Sequence, residues 1–132
     1  MTTPATISSA IPPVIPLAAR LGSFDDHWHP RIVGKYNDSE LRVAKLLGDF
    51  DWHAHAETDE LFLVVSGTLT IEFRDGARTL RQGEAIVIPR GTDHRPRAAT
   101  ECHVLLMDRA GEPNTGTNPV SDRTRHQLET IE

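Results

Sequence analysis

The chain has 132 residues, 38 % of them hydrophobic and 25 % charged, and its 14 Lys and Arg against 19 Asp and Glu give a formal net charge of −5. This composition is typical of one globular domain with a real core, and the absence of a Lys/Arg-rich stripe argues against a nucleic-acid or membrane-surface partner. The single cysteine, Cys102, excludes a disulfide within the chain and fits a reducing compartment.

Residues 1–22 are rich in Pro, Ala, Ser and Thr, which predicts an N-terminal arm that is extended or disordered by itself. Pairing with a partner subunit would order such an arm. No positive charge precedes its apolar part, and Pro12, Pro13 and Pro16 interrupt that part, so the pattern does not indicate a signal peptide. We therefore expect a cytoplasmic protein, and no run approaches the roughly 20 apolar residues of a membrane helix.

Short runs separated by turn residues begin at Arg31 and predict strands. In chain order they are RIVGKY, LRVAKLLG, the histidine segment that begins at Asp51, ELFLVVSG, TLTIEF, the run that ends at Gly83, EAIVIP and CHVLLMD. The pair Asp75-Gly76 favours a tight two-residue hairpin turn between two of them.

This pattern amounts to eight or nine short strands, with little helix signal except near the C-terminus. It predicts an all-β domain over residues 23–110, built as an antiparallel double sheet or barrel. Residues 111–132 contain Gly111, Pro113, Gly116 and Pro119 and are predicted to form a C-terminal loop or tail.

Two histidines and a glutamate stand where a strongly apolar strand begins, in DWHAHAETDELFLVVSG. His53 and His55 are two apart, so on a strand both side chains lie on one face and form a potential chelating pair. Glu60 opens the apolar run, where an ionised carboxylate is costly unless a cation or hydrogen bonds compensate it. His94 follows the PRG turn, and a hairpin-rich fold could return it to the same interior. The sequence therefore predicts a metal site of three imidazoles and one carboxylate.

Those donors suit one divalent transition metal ion per chain, and they leave open positions if the ion takes five or six ligands. Calcium and magnesium are disfavoured because both prefer oxygen ligands. Each histidine taken alone is more simply explained as a surface or hydrogen-bonded residue, and only the combination of the four residues favours a metal. The ion's identity, among Fe, Mn, Ni, Zn and Cu, stays open at this point.

The remaining histidines are weaker candidates. His27 and His29 form a second HxH in FDDHWHP, but Pro30 follows at once and no acidic partner lies on a clear strand, so a functional role is not favoured. His103 and His126 are predicted to be structural or exposed.

Four larger side chains near the histidines could contact a ligand. Trp28 and Trp52 are more typical of packing residues than of ligand platforms. Arg95 and Arg97 follow His94, and one of them at a barrel mouth would attract an anionic substrate, although two solvated arginines are the simpler interpretation.

Two segments resemble the two motifs of the cupin superfamily. The first motif is Gly, five residues, HxH, three or four residues, Glu, six residues and Gly; GDFDWHAHAETDELFLVVSG, Gly48 to Gly67, matches it with one residue fewer after Gly48. The second is Gly, five residues, PxG, two residues, His, three residues and Asn; GEAIVIPRGTDHRPRA, Gly83 to Ala98, matches it with Ala98 in place of Asn. Neither departure touches a matching metal ligand.

The resemblance, closest to small single-domain bacterial cupins, implies a jelly-roll barrel, the cupin double-stranded β-helix, with an extended N-terminal arm. It implies an ion inside the barrel, held by the residues that match the family ligands: His53, His55, Glu60 and His94. It also implies a homodimer in which N-terminal arms are exchanged or packed across the interface.

Two functions of different classes are compatible with such a site. The first is an enzyme whose ion acts as a Lewis acid, or binds dioxygen, on a small chelating organic substrate. Iron, nickel or copper would favour dioxygenase-type chemistry, and zinc or manganese isomerase, lyase or hydrolase chemistry. The second is a non-catalytic module that binds or senses a metabolite at the metal. Alternation from Glu60 places Phe62 and Val64 on one face, which predicts an apolar cavity wall; no catalytic residue can be chosen from the sequence.

Overall fold

The computed structural model describes residues 11–132 as one short helix followed by seven antiparallel strands. The elements are α1 Leu17–Leu21, β1 Arg31–Tyr36, β2 Ser39–Asp49, β3 Glu60–Ser66, β4 Thr68–Phe73, β5 Gly76–Arg81, β6 Ala85–Ile88 and β7 His94–Arg109. The strand order is β1-β2-β7-β3-β6, and the β4-β5 hairpin joins this sheet because β4 also pairs with β7. The fold is the predicted all-β jelly-roll barrel, with seven strands in the described chain instead of eight or nine.

The long strand β7 pairs with strands on both of its sides. Its 16 residues pair with β2 over most of their length, with β4 at the start and with β3 towards the end. The sequence predicted only its second half as a strand, because HRPRAATE is polar and contains Pro96. Pro96 has no N–H to donate, but it still takes its place opposite Ile71, and its carbonyl oxygen accepts a bond from the Phe50 amide over 3.0 Å.

Alternate residues of the strands point inward and form the core. On β3 the inward side chains are Phe62 and Val64, and on β7 they include Val104 and Leu106; all four are at most 6 % exposed. Burying one such side chain contributes about 1.5–3 kcal/mol. The predicted alternation from the start of β3 is therefore confirmed. The same interior holds Ala44, Leu46, Leu69, Ile71, Leu80, Ile88, Ala98 and Cys102.

The β4-β5 hairpin has the predicted two-residue turn, one position earlier than predicted. Phe73 pairs with Gly76, so the two turn residues are Arg74 and Asp75. The Asp-Gly pair therefore marks the hairpin correctly, while Gly76 itself is the first residue of β5.

The two ends of the described chain pack on the barrel. Residues 1–10 of the predicted arm lie outside the described residues, and residues 17–21 form a helix instead of an extended segment, with Leu21 only 1 % exposed. The tail, residues 111–132, has no helix but returns to β1, where Thr130 forms a parallel bridge with Ile32. Within residues 11–132, the one helix is far too short to cross a bilayer.

Candidate metal centre

Backbone pairing places the predicted ligands side by side. His53 lies between β2 and β3, and His94 is the first residue of β7. The two form an isolated antiparallel bridge, in which the His53 amide donates to the His94 carbonyl oxygen over 3.0 Å and the His94 amide donates back over 2.9 Å. The His55 carbonyl oxygen accepts from the Gly91 amide over 2.8 Å, and Glu60 is the first residue of β3. Two stretches of chain that are distant in sequence, residues 53–60 and 91–94, therefore converge at one place in the barrel.

The four side chains form a compact cluster. Each offers one ligand atom, and these atoms all lie within 4.8 Å of one another. Glu60 Oε1 is 3.4 Å from His55 Nε2 and 3.3 Å from His94 Nε2. All four residues are between 1 and 5 % exposed. The structure thus brings together His53, His55, Glu60 and His94, the residues proposed from the sequence, in a group that could bind a metal ion.

Backbone carbonyls fix the orientation of two of the imidazoles. His53 Nδ1 donates to the carbonyl oxygen of Asp51 over 2.9 Å, and His94 Nδ1 donates to that of Thr92, also over 2.9 Å. Each contact keeps the proton on Nδ1 and leaves the Nε2 lone pair facing the cluster. Hydrogen bonding of the distal ring nitrogen is typical of histidines that bind metals.

The third imidazole is oriented by a side chain from the tail. His55 Nδ1 lies 2.9 Å from Glu112 Oε2, while His55 Nε2 is buried without a hydrogen-bond partner among the described residues. Its 3.4 Å approach to Glu60 does not have hydrogen-bond geometry. A buried nitrogen without a partner is costly, and a cation beside it and the carboxylate would remove that cost. The residues therefore fit a metal ion.

The pKa values of two imidazoles in the cluster are shifted in opposite directions. Burial, reinforced by His94, lowers the pKa of His53 to about 4, so this imidazole is neutral at pH 7. Burial acts in the same direction on His55, but neighbouring carboxylates, Glu60 first among them, outweigh it and raise the pKa of His55 to about 9. Burial alone would raise the pKa of Glu60, yet His55 and His94 hold it well below its ordinary value. Without metal, the proton on His55 compensates the buried carboxylate.

A buried network of charged side chains lies beside the cluster, and it was not predicted from the sequence. Arg42 on β2 is 1 % exposed; its Nη2 lies 2.8 Å from Glu40 Oε1 and its Nη1 lies 3.4 Å from Asp108 Oδ2. Burial and the Glu60 carboxylate raise the pKa of Asp108 well above its ordinary value, while Arg42 acts in the opposite direction. The sequence did indicate that Asp108 points inward, because it continues the alternation of the buried residues Val104 and Leu106.

A narrow cavity of about 40 Å³ leads to the cluster and is lined mainly by apolar and aromatic side chains. Phe62 meets the His94 ring edge-on at 6.4 Å, which places the predicted apolar wall next to a proposed ligand. Trp28 and Phe50 stack on one another at 4.8 Å. The polar side of the cavity is formed by Arg42, Asp108 and Asn114.

Trp28 therefore both lines the cavity and packs against Phe50. It adopts a φ of 57°, a conformation that bulky residues rarely adopt, and its indole N–H donates to the Leu47 carbonyl oxygen over 2.8 Å. Trp52 lies elsewhere, with the Arg74 guanidinium 3.8 Å above its ring, which agrees with the predicted packing role.

The other histidines lie apart from the cluster. His27 and His103 both pair with Glu101, at 2.8 and 2.9 Å, and His29 pairs with Asp26 at 2.8 Å. The second HxH thus has acidic partners that its sequence context did not reveal, in separate ion pairs. His126 is exposed, as predicted.

Arg95 and Arg97 do not line the cavity. Alternation along β7 points them outward, where Arg95 Nη2 is 2.6 Å and Arg97 Nε 3.6 Å from the carboxylate oxygens of Glu72. Pro96, between them, faces the cavity. The simpler interpretation, two surface arginines, therefore fits the structure, and the arginine beside the cavity is Arg42.

A cluster of three imidazoles and one carboxylate inside a jelly-roll barrel defines a class of β-barrel proteins that could bind a metal ion through side chains of the barrel interior. Within that class, the chain belongs to the cupin superfamily, because the Cupin_2 (cupin domain) family model matches residues 44–108. The match spans all four cluster residues and the network residue Asp108.

Known proteins share this fold at substantial identity. The crystal structure of a cupin-2 domain containing protein from Shewanella frigidimarina NCIMB 400 is 43 % identical, covers 73 % of this chain and 94 % of that one, and has a TM-score of 0.72. Protein NMB1881 from Neisseria meningitidis is 32 % identical over 74 % of this chain and 100 % of that one, with a TM-score of 0.68. The uncharacterized protein YdbB of Bacillus subtilis (strain 168) is 40 % identical over 67 residues, which span 50 % of this chain and 59 % of that protein.

Proposed function

We propose that the protein is a metal-dependent small-molecule enzyme that holds one divalent transition metal ion per chain. The ligands are His53, His55, Glu60 and His94. The observation that carries this proposal is the orientation of the three imidazoles: every Nδ1 is engaged with an oxygen acceptor, so three Nε2 atoms and one carboxylate are left to converge. Iron, manganese, nickel, zinc and copper all accept this donor set.

The chemistry of the site combines that ion with a mostly apolar cavity. A bound ion with an open position supplies a Lewis acid, or a site for dioxygen, next to a chelating substrate. Phe62 and Trp28 line the cavity and provide flat apolar surface for the body of a small organic molecule. Asp108 lines the cavity, and its raised pKa favours the protonated form, which suits a group that donates a proton to a substrate.

The charges beside the cavity favour a neutral substrate over an anionic one. Arg42 is already paired with Glu40 and Asp108, and one of its N–H groups donates to the carbonyl oxygen of Glu112 over 3.0 Å. The interior therefore offers no unpaired cation from Arg42, while the Glu60 carboxylate would repel an anion. A neutral chelating molecule with an apolar body fits these charges best.

Elemental analysis by mass spectrometry tests the metal. The protein is purified without chelators beside two double variants, His53→Ala with His94→Ala, and His27→Ala with His29→Ala as the matched control. We expect near-stoichiometric metal in the wild type and in the control, and its loss from the first variant. Equal metal in both variants, or none in the reconstituted wild type, would overturn the proposal.

The metal found also directs the search for a reaction. Iron, nickel or copper leads to assays of dioxygen consumption with chelating substrates, and zinc or manganese leads to isomerase, lyase and hydrolase screens. Saturable ligand binding by the metal-loaded protein, without turnover in any of these assays, would instead support the non-catalytic binding or sensor module.

We also propose a homodimer. The outer face of the sheet carries a row of partly exposed apolar side chains, Leu61, Leu63, Leu105 and Met107, and Val87 beside them is 57 % exposed. A contiguous apolar patch of this kind is typical of an interface. Light scattering after gel filtration measures the mass, and a monomer at micromolar concentration would contradict the proposal. A cytoplasmic location stays a prediction from composition.

A further inference from the structure

We infer that the first part of the C-terminal tail, residues 112–118, is a working part of the metal centre, in which Glu112 is the positioning residue for His55. This inference rests on the proposed function, because it concerns how firmly the four ligands hold an ion. The tail was predicted from the sequence as a loop outside the barrel domain, without a role in the site.

Glu112 is itself held in place at both its backbone and its side chain. Its carboxylate Oε2 accepts from His55 Nδ1 over 2.9 Å, and its backbone carbonyl oxygen accepts from Arg42 Nη2 over 3.0 Å. The carboxylate is only 12 % exposed. A buried acceptor anchored by a buried arginine can fix the ring plane of His55, so that Nε2 faces the cluster without reorganisation.

The rest of the tail fastens the segment that carries the two neighbouring histidines. The Thr117 amide donates to the Ala54 carbonyl oxygen over 2.9 Å, and Asn118 Nδ2 donates to the Trp52 carbonyl oxygen over 2.7 Å. Gly116 packs so closely that a Cβ there would lie 2.0 Å from the Ala54 oxygen. The tail therefore holds the backbone immediately before and between His53 and His55.

His55 differs from the other two imidazoles in the origin of its acceptor. His53 and His94 donate to carbonyls two residues before them, which move with the ligand itself. His55 donates to a residue 57 positions away, so its orientation depends on the tail being docked. Tail docking and metal binding are therefore coupled, and each must strengthen the other by the same free energy.

Zinc affinity, measured by competition with a chromophoric chelator at fixed pH, tests the inference. Glu112→Ala removes the acceptor and should weaken Zn²⁺ binding by about 10- to 100-fold, the usual effect of losing such a partner. Glu112→Gln keeps an oxygen acceptor for Nδ1 and should recover much of the affinity. Glu129→Gln makes the same change at a 63 %-exposed glutamate of the same tail and should leave the affinity unchanged.

The outcomes separate this inference from the proposed function. Wild-type protein that binds no Zn²⁺, or a His53→Ala variant that binds it like wild type, would overturn the proposed metal centre and the inference with it. Wild-type binding that His53→Ala weakens but Glu112→Ala leaves unchanged would overturn the inference alone.

Hydrogen exchange in the wild-type protein gives a second test that does not depend on the folding of any variant. Saturating Zn²⁺ should slow exchange of the Thr117 amide, which bonds to Ala54, more than that of the Glu84 amide, which bonds within the turn before β6. Equal effects at the two amides would overturn the coupling between the tail and the ion.

Discussion

Removing the metal should make the stability of the protein fall as the pH rises above neutrality, because of His55. The pKa of this imidazole is about 9 in the folded protein, against 6.5 for an ordinary histidine. The stability that it contributes is fully present below pH 6.5 and is lost as the pH rises through 9, since the folded state binds the proton more tightly. At 1.36 kcal/mol per pH unit, the difference amounts to about 3 kcal/mol. Asp108, whose pKa burial raises, acts in the same direction.

A bound metal ion should remove this trend, because it takes His55 Nε2 in the unprotonated form. Urea unfolding is measured at pH 6.5, 7.5 and 8.5, once with EDTA and once with excess Zn²⁺. We expect the free energy of unfolding to decline as the pH rises in EDTA. In Zn²⁺ it should stay constant or rise, because metal affinity increases by up to about tenfold per pH unit. His53 does not disturb this window, because its pKa of about 4 affects stability only as the pH falls below 6.5. A flat profile in EDTA, or equal declines in both series, would refute the reasoning.

Three substitutions test other parts of the site. Glu60→Gln should lower metal content more than it lowers the midpoint of thermal unfolding, and unchanged metal in a normally folded variant would contradict its assignment as a ligand. Gly116→Ala should lower both stability and metal content, because its Cβ would press on the Ala54 oxygen. Gly111→Ala is its control, because Gly111 also has a positive φ but open space around the Cβ, and it should cost only the roughly 1–2 kcal/mol of that conformation. Phe62→Ala should cost about 3–5 kcal/mol in urea unfolding; a loss below 1 kcal/mol would show that the cavity wall does not pack as described.

The cluster was predictable because its signals are local. The two-residue spacing of His53 and His55 and the carboxylate at the entrance of an apolar run indicate a shared face without knowledge of the fold. His94 was harder, since only the backbone bridge to His53 brings it into place. The motif resemblance supplied that long-range information, and the geometry supports it.

Other features depended on contacts that no short segment encodes. Asp108 could have been found by extending the alternation of β7 by one step past Leu106. Glu112 could not, because its role follows from the path of the tail back across the segment that holds His55. The outward direction of Arg95 and Arg97 could not be deduced for a related reason: the polar half of β7 was not predicted as a strand, so its alternation was not available.

During folding, the complete cluster can form only after strand β7 has paired with its neighbours. It pairs with β2, β3 and β4, and it carries His94 at its first residue and Asp108 near its last. Until β7 docks, the chain offers an incoming ion only the local donors His53, His55 and Glu60, which a flexible peptide presents as a weak chelate. Contacts of such long sequence separation form slowly, because their loop-closure entropy must be overcome first. The ion should therefore act late, as a ligand that distinguishes the completed barrel from its precursors and draws the folding equilibrium towards it.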